Sequence, residues 1–234
     1  MDSGNGWDES AEAWIADMGE TGDFSRRYVL DAPMLDRIRG RGFQNALDVG
    51  CGEGRFSRMM SELGVTTTGI DPTARLIETA RTRHPQGDYL EAQAEALPFP
   101  DASFDLVVSY LTLIDIDDSD TAIAEMARVL RPGGTLLIAN LNSFSTAGSW
   151  QGDGDSARGY LIDNYLEPRA EWVSWRGILI RNWHRPLGAY MQPLLAQGLR
   201  LAHFDEPAAQ GGEPARITRY NRAPYHHIME WTKP

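Results

Sequence analysis

The sequence predicts an α/β fold: a seven-stranded, mostly parallel sheet with helices on both faces and an antiparallel last strand. Three observations carry it. Apolar runs alternate with amphipathic stretches from Asn45 to Asn140. That alternation is the mark of strand–helix–strand units, whose crossovers place helices on both faces of a parallel sheet. The run Phe104 to Tyr110 is almost wholly apolar, as a strand covered on both faces must be. A short apolar run, Asn45 to Val49, leads into glycines at 50, 52 and 54 and then a helical pattern, which reads as strand, tight turn, helix.

The elements follow in order. Residues 1–44 read as helical. Trp7, Ala11, Trp14, Ile15 and Met18 share one face, and a second helical stretch runs from Phe24 to Ile38, interrupted at Pro33. This segment is expected to be a lid of packing helices, with Trp7 and Trp14 as candidate substrate contacts. In the core, 45–140, strands are expected at Asn45–Val49, Thr66–Ile70, Tyr89–Gln93, Phe104–Tyr110 and Thr135–Asn140. Helices are expected at about Gly54–Leu63, after Pro72, and around Ile123, Met126, Ala127 and Leu130. Arg131-Pro-Gly-Gly134 reads as a turn. Residues 141–185 break the rhythm and are rich in aromatics, including Trp150, Tyr160, Trp172, Trp175 and Trp183. They are expected to form an inserted cap, with two short strands around Gly177 and Trp183 as a substrate contact. From 186 to 234 a helix (Pro186 to Gln197) and two strands (Leu199 to Phe204, Pro224 to Trp231) complete a single domain.

Composition narrows the partners. The 234 residues carry 22 Lys and Arg against 33 Asp and Glu, a formal charge of -11. So acidic a chain is a poor binder of nucleic acid or anionic membrane. The one cysteine, Cys51, excludes an intramolecular disulfide and suits a reducing compartment. No run approaches the roughly 18 apolar residues of a membrane span, and the N-terminus lacks the pattern of a signal peptide. A cytoplasmic location and a small-molecule partner are expected, with a homodimer as a candidate assembly.

The glycine turn points to a nucleotide-like ligand, and Asp71, ending the second strand, is placed to accept hydrogen bonds from ribose hydroxyls. A dinucleotide fits less well. Its fingerprint would put a third glycine at position 55, which is Arg55. Asp48 and Glu53 add negative charge, unfavourable to a pyrophosphate and favourable to an ammonium or sulfonium. A cationic nucleoside with an amino-acid tail, S-adenosylmethionine, satisfies both conditions. Arg26 or Arg27 is a candidate partner for its carboxylate.

Four stretches, LDVGCGEGRFS, GIDPTARLIETAR, AEALPFPDASFDLVVSYLTL and ARVLRPGGTLLIAN, resemble the successive motifs of class I S-adenosylmethionine-dependent methyltransferases. They are most similar to the branch holding the ubiquinone and menaquinone methyltransferases and many small-molecule methyltransferases. The resemblance implies a Rossmann-like fold and S-adenosyl-L-methionine as cofactor. It places Asp48, Gly50, Cys51 and Gly52 around the methionine part, Asp71 on the ribose and Pro72 beside the adenine. It places Gln93, Ala94 and Glu95 on the adenine edge, with Gln93 replacing the usual aspartate. Ser109 and Tyr110 would also bind the cofactor, Tyr110 beside the methionine tail and at the entrance to the acceptor pocket. Transfer to an O, N or C atom of a small aromatic or apolar molecule is the implied reaction. His184 is the candidate base, because it ends the cap and titrates in the right range. Cys51 is not read as a nucleophile, nor His226-His227 as metal ligands, since adjacent strand residues point to opposite faces. The acidic run at Asp115, Asp117, Asp118 and Asp120 is read as a solvated cap for the following helix. The rival readings are a silent S-adenosylmethionine-binding protein and a nicotinamide-dependent oxidoreductase. The second is disfavoured by Arg55 and by the lack of a closely spaced Tyr–Lys pair.

Overall fold

The computed structural model describes residues 4–152 and 158–234. Residues 153–157, part of the segment read as a cap, lie outside the described residues, as do residues 1–3.

A seven-stranded sheet forms the centre. Its strands are β1 (Asn45–Val49), β2 (Thr66–Asp71), β3 (Asp88–Glu91), β4 (Phe104–Tyr110), β5 (Leu130–Leu141), β10 (Arg200–Asp205) and β11 (His226–Thr232). Their spatial order is β10-β11-β5-β4-β1-β2-β3. β1 to β5 pair in parallel, while β11 runs antiparallel to both β5 and β10. The expected sheet and its antiparallel last strand are therefore observed. β1 and β4 occupy the predicted residues, and all seven residues of β4 are buried.

Helices cover both faces, as crossover geometry requires. They are α3 (Arg55–Glu62), α4 (Ala74–Arg83), α5 (Ser119–Val129) and α7 (Leu187–Ala196). On one side Ile123, Met126 and Ala127 of α5 and Tyr190 and Leu194 of α7 pack on Leu47, Val107 and Trp231. On the other, Phe56 and Met60 of α3 meet Leu30 and Met34 against Leu106 and Val108. Leu30 and Met34 come from the N-terminal segment. There α1 (Trp7–Met18) is followed by a π-helical turn, Arg26–Leu30, and α2 (Asp31–Asp36). The chain stays helical from Phe24 through that turn into α2, and Pro33, third in α2, cannot donate to the preceding turn, so the irregular turn lies just ahead of the proline.

The sheet departs from expectation at Arg131–Gly134. Instead of a turn before the strand, these residues bulge within β5: Leu130 pairs with Phe104, and the next pair is Thr135 with Leu106. Gly133 takes φ 77°, and its amide donates to the Lys233 carbonyl.

Two hairpins lie beyond the sheet. β8 (Arg169–Trp175) and β9 (Ile178–His184) form the pair expected around Gly177. Arg176 and Gly177 have φ of 45° and 84°, as a tight two-residue hairpin turn demands. The second hairpin, β6 (Gly148–Gln151) with β7 (Gly159–Ile162), and the short helix α8 (Pro214–Tyr220) have no counterpart in the sequence reading. A one-turn helix, α6 (Ser143–Thr146), precedes β6. Among the described residues no helix is long and apolar enough to cross a membrane.

Candidate active site

A cavity of about 670 Å³ opens at the carboxyl ends of β1, β2 and β4. That is where open α/β sheets bind ligands, and its size lies in the range of small-molecule sites.

Its floor is made by turns. Gly50 and Gly52 both have positive φ, 71° and 55°. A Cβ on Gly50 would lie 2.1 Å from the Thr112 side chain, so the strand-four loop can close on the turn only against glycine. Gly52 differs: its nearest neighbour to such a Cβ would be Trp14 Nε1 at 3.9 Å. A side chain there would fill ligand space. Asp71 accepts from the Gly52 amide (3.0 Å) and the Thr73 amide (2.9 Å), so it braces the turn and starts α4. Pro72, Gln93, Ala94, Glu95 and Tyr110 continue the wall.

A smaller recess shares Gly50, Gly52, Trp14, Arg26 and Tyr110 with this cavity and adds Asp48, Cys51 and Glu53. The Ser57 hydroxyl donates to Asp48 Oδ2 at 2.6 Å. Burial, opposed by that bond, pushes the Asp48 carboxyl up to about 7, and burial likewise raises Asp71 to about 6. Burial raises the Cys51 thiol further, which keeps it protonated and inert as a nucleophile. Glu53 has a structural task that its charge alone did not reveal. It accepts from the Arg55 amide at 2.8 Å and lies 3.4 Å from Arg83 and 3.9 Å from Arg58. Its charge is thereby balanced within the protein. Arg26 lies over Trp14, 4.9 Å from the ring centroid, and pairs with Asp23 at 3.0 Å. Arg27 is exposed and stacks on Tyr28, so of the two arginines only Arg26 reaches the cavity.

The roof comes from α1 and the β8–β9 hairpin. Trp7 and Trp14 pack edge to face at 4.9 Å, with Trp175 6.4 Å from Trp14, and all three line the cavity. Val173, Ile180 and Asn182 face it from the hairpin. The hairpin is fastened to the loop after β4. Arg185 donates to the carbonyls of Leu113, Ile116 and Asp117, and the Trp183 amide donates to the Ile114 carbonyl at 2.7 Å.

Three expected site residues lie elsewhere. His184 is buried at the far end of β9. Its Nδ1 meets the Thr146 hydroxyl at 2.7 Å and its Nε2 the Tyr165 carbonyl at 2.8 Å. Burial also lowers its pKa. With both ring nitrogens engaged away from the cavity, the imidazole anchors the hairpin base and has no access to an acceptor. Trp183 points outward and donates its indole N–H to Asp117 at 2.8 Å. From β9 the cavity is lined by Ile180, Arg181 and Asn182 instead. Ser109 is wholly buried within the sheet, where its strand position pairs with Val49 and Ile138.

Other wall residues escaped sequence reasoning: Asp23, Thr112, Asp115, Asn182 and His226. The acidic run held a partial signal. Asp118 caps α5 through Thr121, as read, but Asp115 turns inward and accepts from Asn182, while Asp117 pairs with Arg181. Among the described residues no cluster of His, Cys, Asp or Glu is arranged to hold a metal ion.

The cavity fits the cofactor that the turn implies. Two glycines leave backbone exposed, a carboxylate waits at the end of β2, and the cations at the wall, Arg26 and Arg181, are each paired with an aspartate. A polyphosphate would find no such match.

Comparison with known proteins agrees. Residues 47–138 match a family model described as a methyltransferase domain. The chain is 36% identical over 139 residues to malonyl-[acyl-carrier protein] O-methyltransferase of Serratia marcescens, covering 58% of this chain and 53% of that protein. It is 34% identical over 128 residues to demethylmenaquinone methyltransferase of Renibacterium salmoninarum, covering 55% and 52%. The chain thus spans about half the length of these curated relatives. An S-adenosylmethionine-dependent methyltransferase of Mesorhizobium loti has the same fold, with a TM-score of 0.74 at 23% identity, over 85% of this chain and 95% of that one.

Proposed function

We propose, on the premise that residues 47–138 are a methyltransferase domain of the S-adenosylmethionine-dependent class, that the whole chain transfers a methyl group to a small molecule. The observation that carries this is the joining of the Gly50–Gly52 turn and Asp71 in one cavity that also holds a second, aromatic wall. Bound S-adenosylmethionine supplies an activated methyl on a good leaving group. The protein's task is to orient and to exclude water. Gly50 and Gly52 offer backbone to the methionine tail, with Asp48 and Arg26 beside it. Asp71 accepts from the ribose hydroxyls. Pro72, Gln93, Ala94 and Glu95 flank the adenine.

Trp7, Trp14 and Trp175 hold a flat or apolar acceptor, because aromatic walls give large contact area with little side-chain entropy to lose. In this reading residues 4–44 and the β8–β9 hairpin act together as lid and cap of one domain. The curated relatives, one named for malonyl-[acyl-carrier protein] and one for demethylmenaquinone, set the span of acceptors to screen.

Calorimetric titration with S-adenosylhomocysteine and with NAD tests the reading. Binding of the first and not the second is expected, and the reverse would overturn it. Label transfer from S-adenosylmethionine to a panel of phenols, acids, amines and quinols separates an enzyme from a silent binder. Light scattering tests the candidate homodimer.

A further inference from the structure

We propose that Asp115 takes the proton from the methyl acceptor, and that the acceptor therefore presents an O–H or N–H. This rests on the methyl-transfer reading above and names the chemistry of its second substrate.

Position comes first. Asp115 follows β4 on the loop whose Thr112 packs on Gly50, so the segment that closes the cofactor turn also carries this carboxylate. In the sheet order, β2 and β3 lie to one side of β1 and β4, and β5 and β11 to the other. Asp71 and Gln93 line the cavity from the first side, Leu141 and His226 from the second. Asp115 lines the same cavity from the loop after the central strand β4.

Its partners come next. Asp71 is engaged on both oxygens by the amides of Gly52 and Thr73. Both oxygens of Asp23 accept from Arg26. Asp115 is held differently, by the neutral Asn182 amide on Oδ1 with the Trp7 indole beside it. A carboxylate oriented by a neutral amide keeps its basicity, whereas one clamped by a guanidinium loses it. Burial pushes its carboxyl up to about 8, opposed by Asn182, Arg26 and Trp7. A base of that strength matches a working pH near neutrality. His226 shares the cavity, but burial drives it down to about 3, too weak a base to compete.

In the step, the acceptor oxygen or nitrogen bonds to the methyl carbon and the carbon–sulfur electron pair stays on sulfur. The acceptor proton passes to an Asp115 carboxylate oxygen. A nearby sulfonium favours the ionised carboxylate, and the neutral thioether product does not.

The test is calorimetry at pH 7.5 in buffers of different ionisation enthalpy. S-adenosylmethionine is expected to release more protons than S-adenosylhomocysteine on binding the wild-type chain. The excess should fall in Asp115→Asn, the remainder coming from Asp48 and Asp71, with S-adenosylhomocysteine affinity changed less than about threefold. With any phenol or amine acceptor found, Asp115→Asn should lower kcat by about a hundredfold or more and flatten the alkaline rise of its pH profile. An undiminished excess in the variant overturns the proposal. So does a parallel loss of S-adenosylhomocysteine affinity, which would make Asp115 a cofactor ligand. If Asp115→Asn does not melt cooperatively, Asp115→Glu must retain the excess. Failure of the wild-type chain to bind either nucleoside sinks the methyl-transfer reading itself.

Discussion

The floor and the roof of the cavity are built on different principles. The floor is backbone: two glycines at positive φ, a buried acid bracing their amides, and strand ends fixed by the sheet. The roof is side chains: three tryptophans from α1 and the hairpin, tied across long sequence separations by Ser10, Arg185 and Asn182. A floor of this kind fixes one ligand and tolerates little change. A roof of this kind can be retailored residue by residue, because each contact depends on one side chain and not on the sheet.

The sharpest way to break the contrast is Gly50→Ala. The added methyl meets Thr112, and φ 71° in a non-glycine residue adds about 1–3 kcal/mol of strain. Loss of S-adenosylhomocysteine binding by a hundredfold or more is expected by calorimetry. Retained affinity would mean the turn is softer than a backbone floor should be.

Asp71→Asn ranks next. It exchanges a charged acceptor for a neutral one, and hydrogen bonds to charged groups contribute about 1.5–3 kcal/mol. A loss of affinity of roughly ten- to a hundredfold is expected, with the larger loss at higher pH, where the wild-type carboxyl, raised to about 6, is fully ionised.

The pH dependence of stability tests the buried floor directly. The Asp48 carboxyl has a folded pKa of about 7, above its unfolded value near 3.9. The folded state therefore holds its proton more tightly, and the stability this gives is present below about pH 4 and lost as pH rises through 7. His226 and His227, lowered by burial to about 3 and 4, act in the opposite sense. Their contribution is full above about pH 6.5 and lost as pH falls toward 4. The comparison is therefore between the wild type and Asp48→Asn. Between pH 5 and 8 the wild-type Tm should fall relative to the variant's. Parallel Tm curves would show that Asp48 keeps its ordinary pKa.

The smallest effect belongs to the roof. Ser10 bonds both the carbonyl and the amide of Leu179, each at 3.0 Å. Ser10→Ala should cost about 1–2 kcal/mol, faster hydrogen exchange in β8 and β9, and no change in S-adenosylhomocysteine affinity. A matching loss of affinity would make floor and roof one unit.

The same division decides what the sequence disclosed. β1, β4 and the glycine turn are written in local order: apolar runs, glycines at fixed offsets, an acid at a strand end. The β8–β9 hairpin was legible because Gly177 marks its turn. The β6–β7 hairpin and α8 are not marked in this way, since short elements on a polar surface owe their form to distant neighbours such as Tyr225, which receives the Trp150 indole N–H. His184 looked like a base on residue type and position alone, and only the places of Thr146 and Tyr165 show its ring turned from the cavity. Asp115 was hidden in the opposite way. In a run of four acids nothing local distinguishes the one that a distant Asn182 draws inward.

The tryptophans carry one more consequence. Three of the seven, Trp7, Trp14 and Trp175, line the cavity, and all three belong to the roof. Trp231 is buried in the core and Trp172 is exposed. Intrinsic emission is therefore a one-sided optical gauge. A cofactor settling on the floor will register only where it touches the indoles above, and an acceptor stacking between them will quench strongly even when the cofactor is already in place. Titrating the two ligands in either order would then read their sequence of arrival without a label.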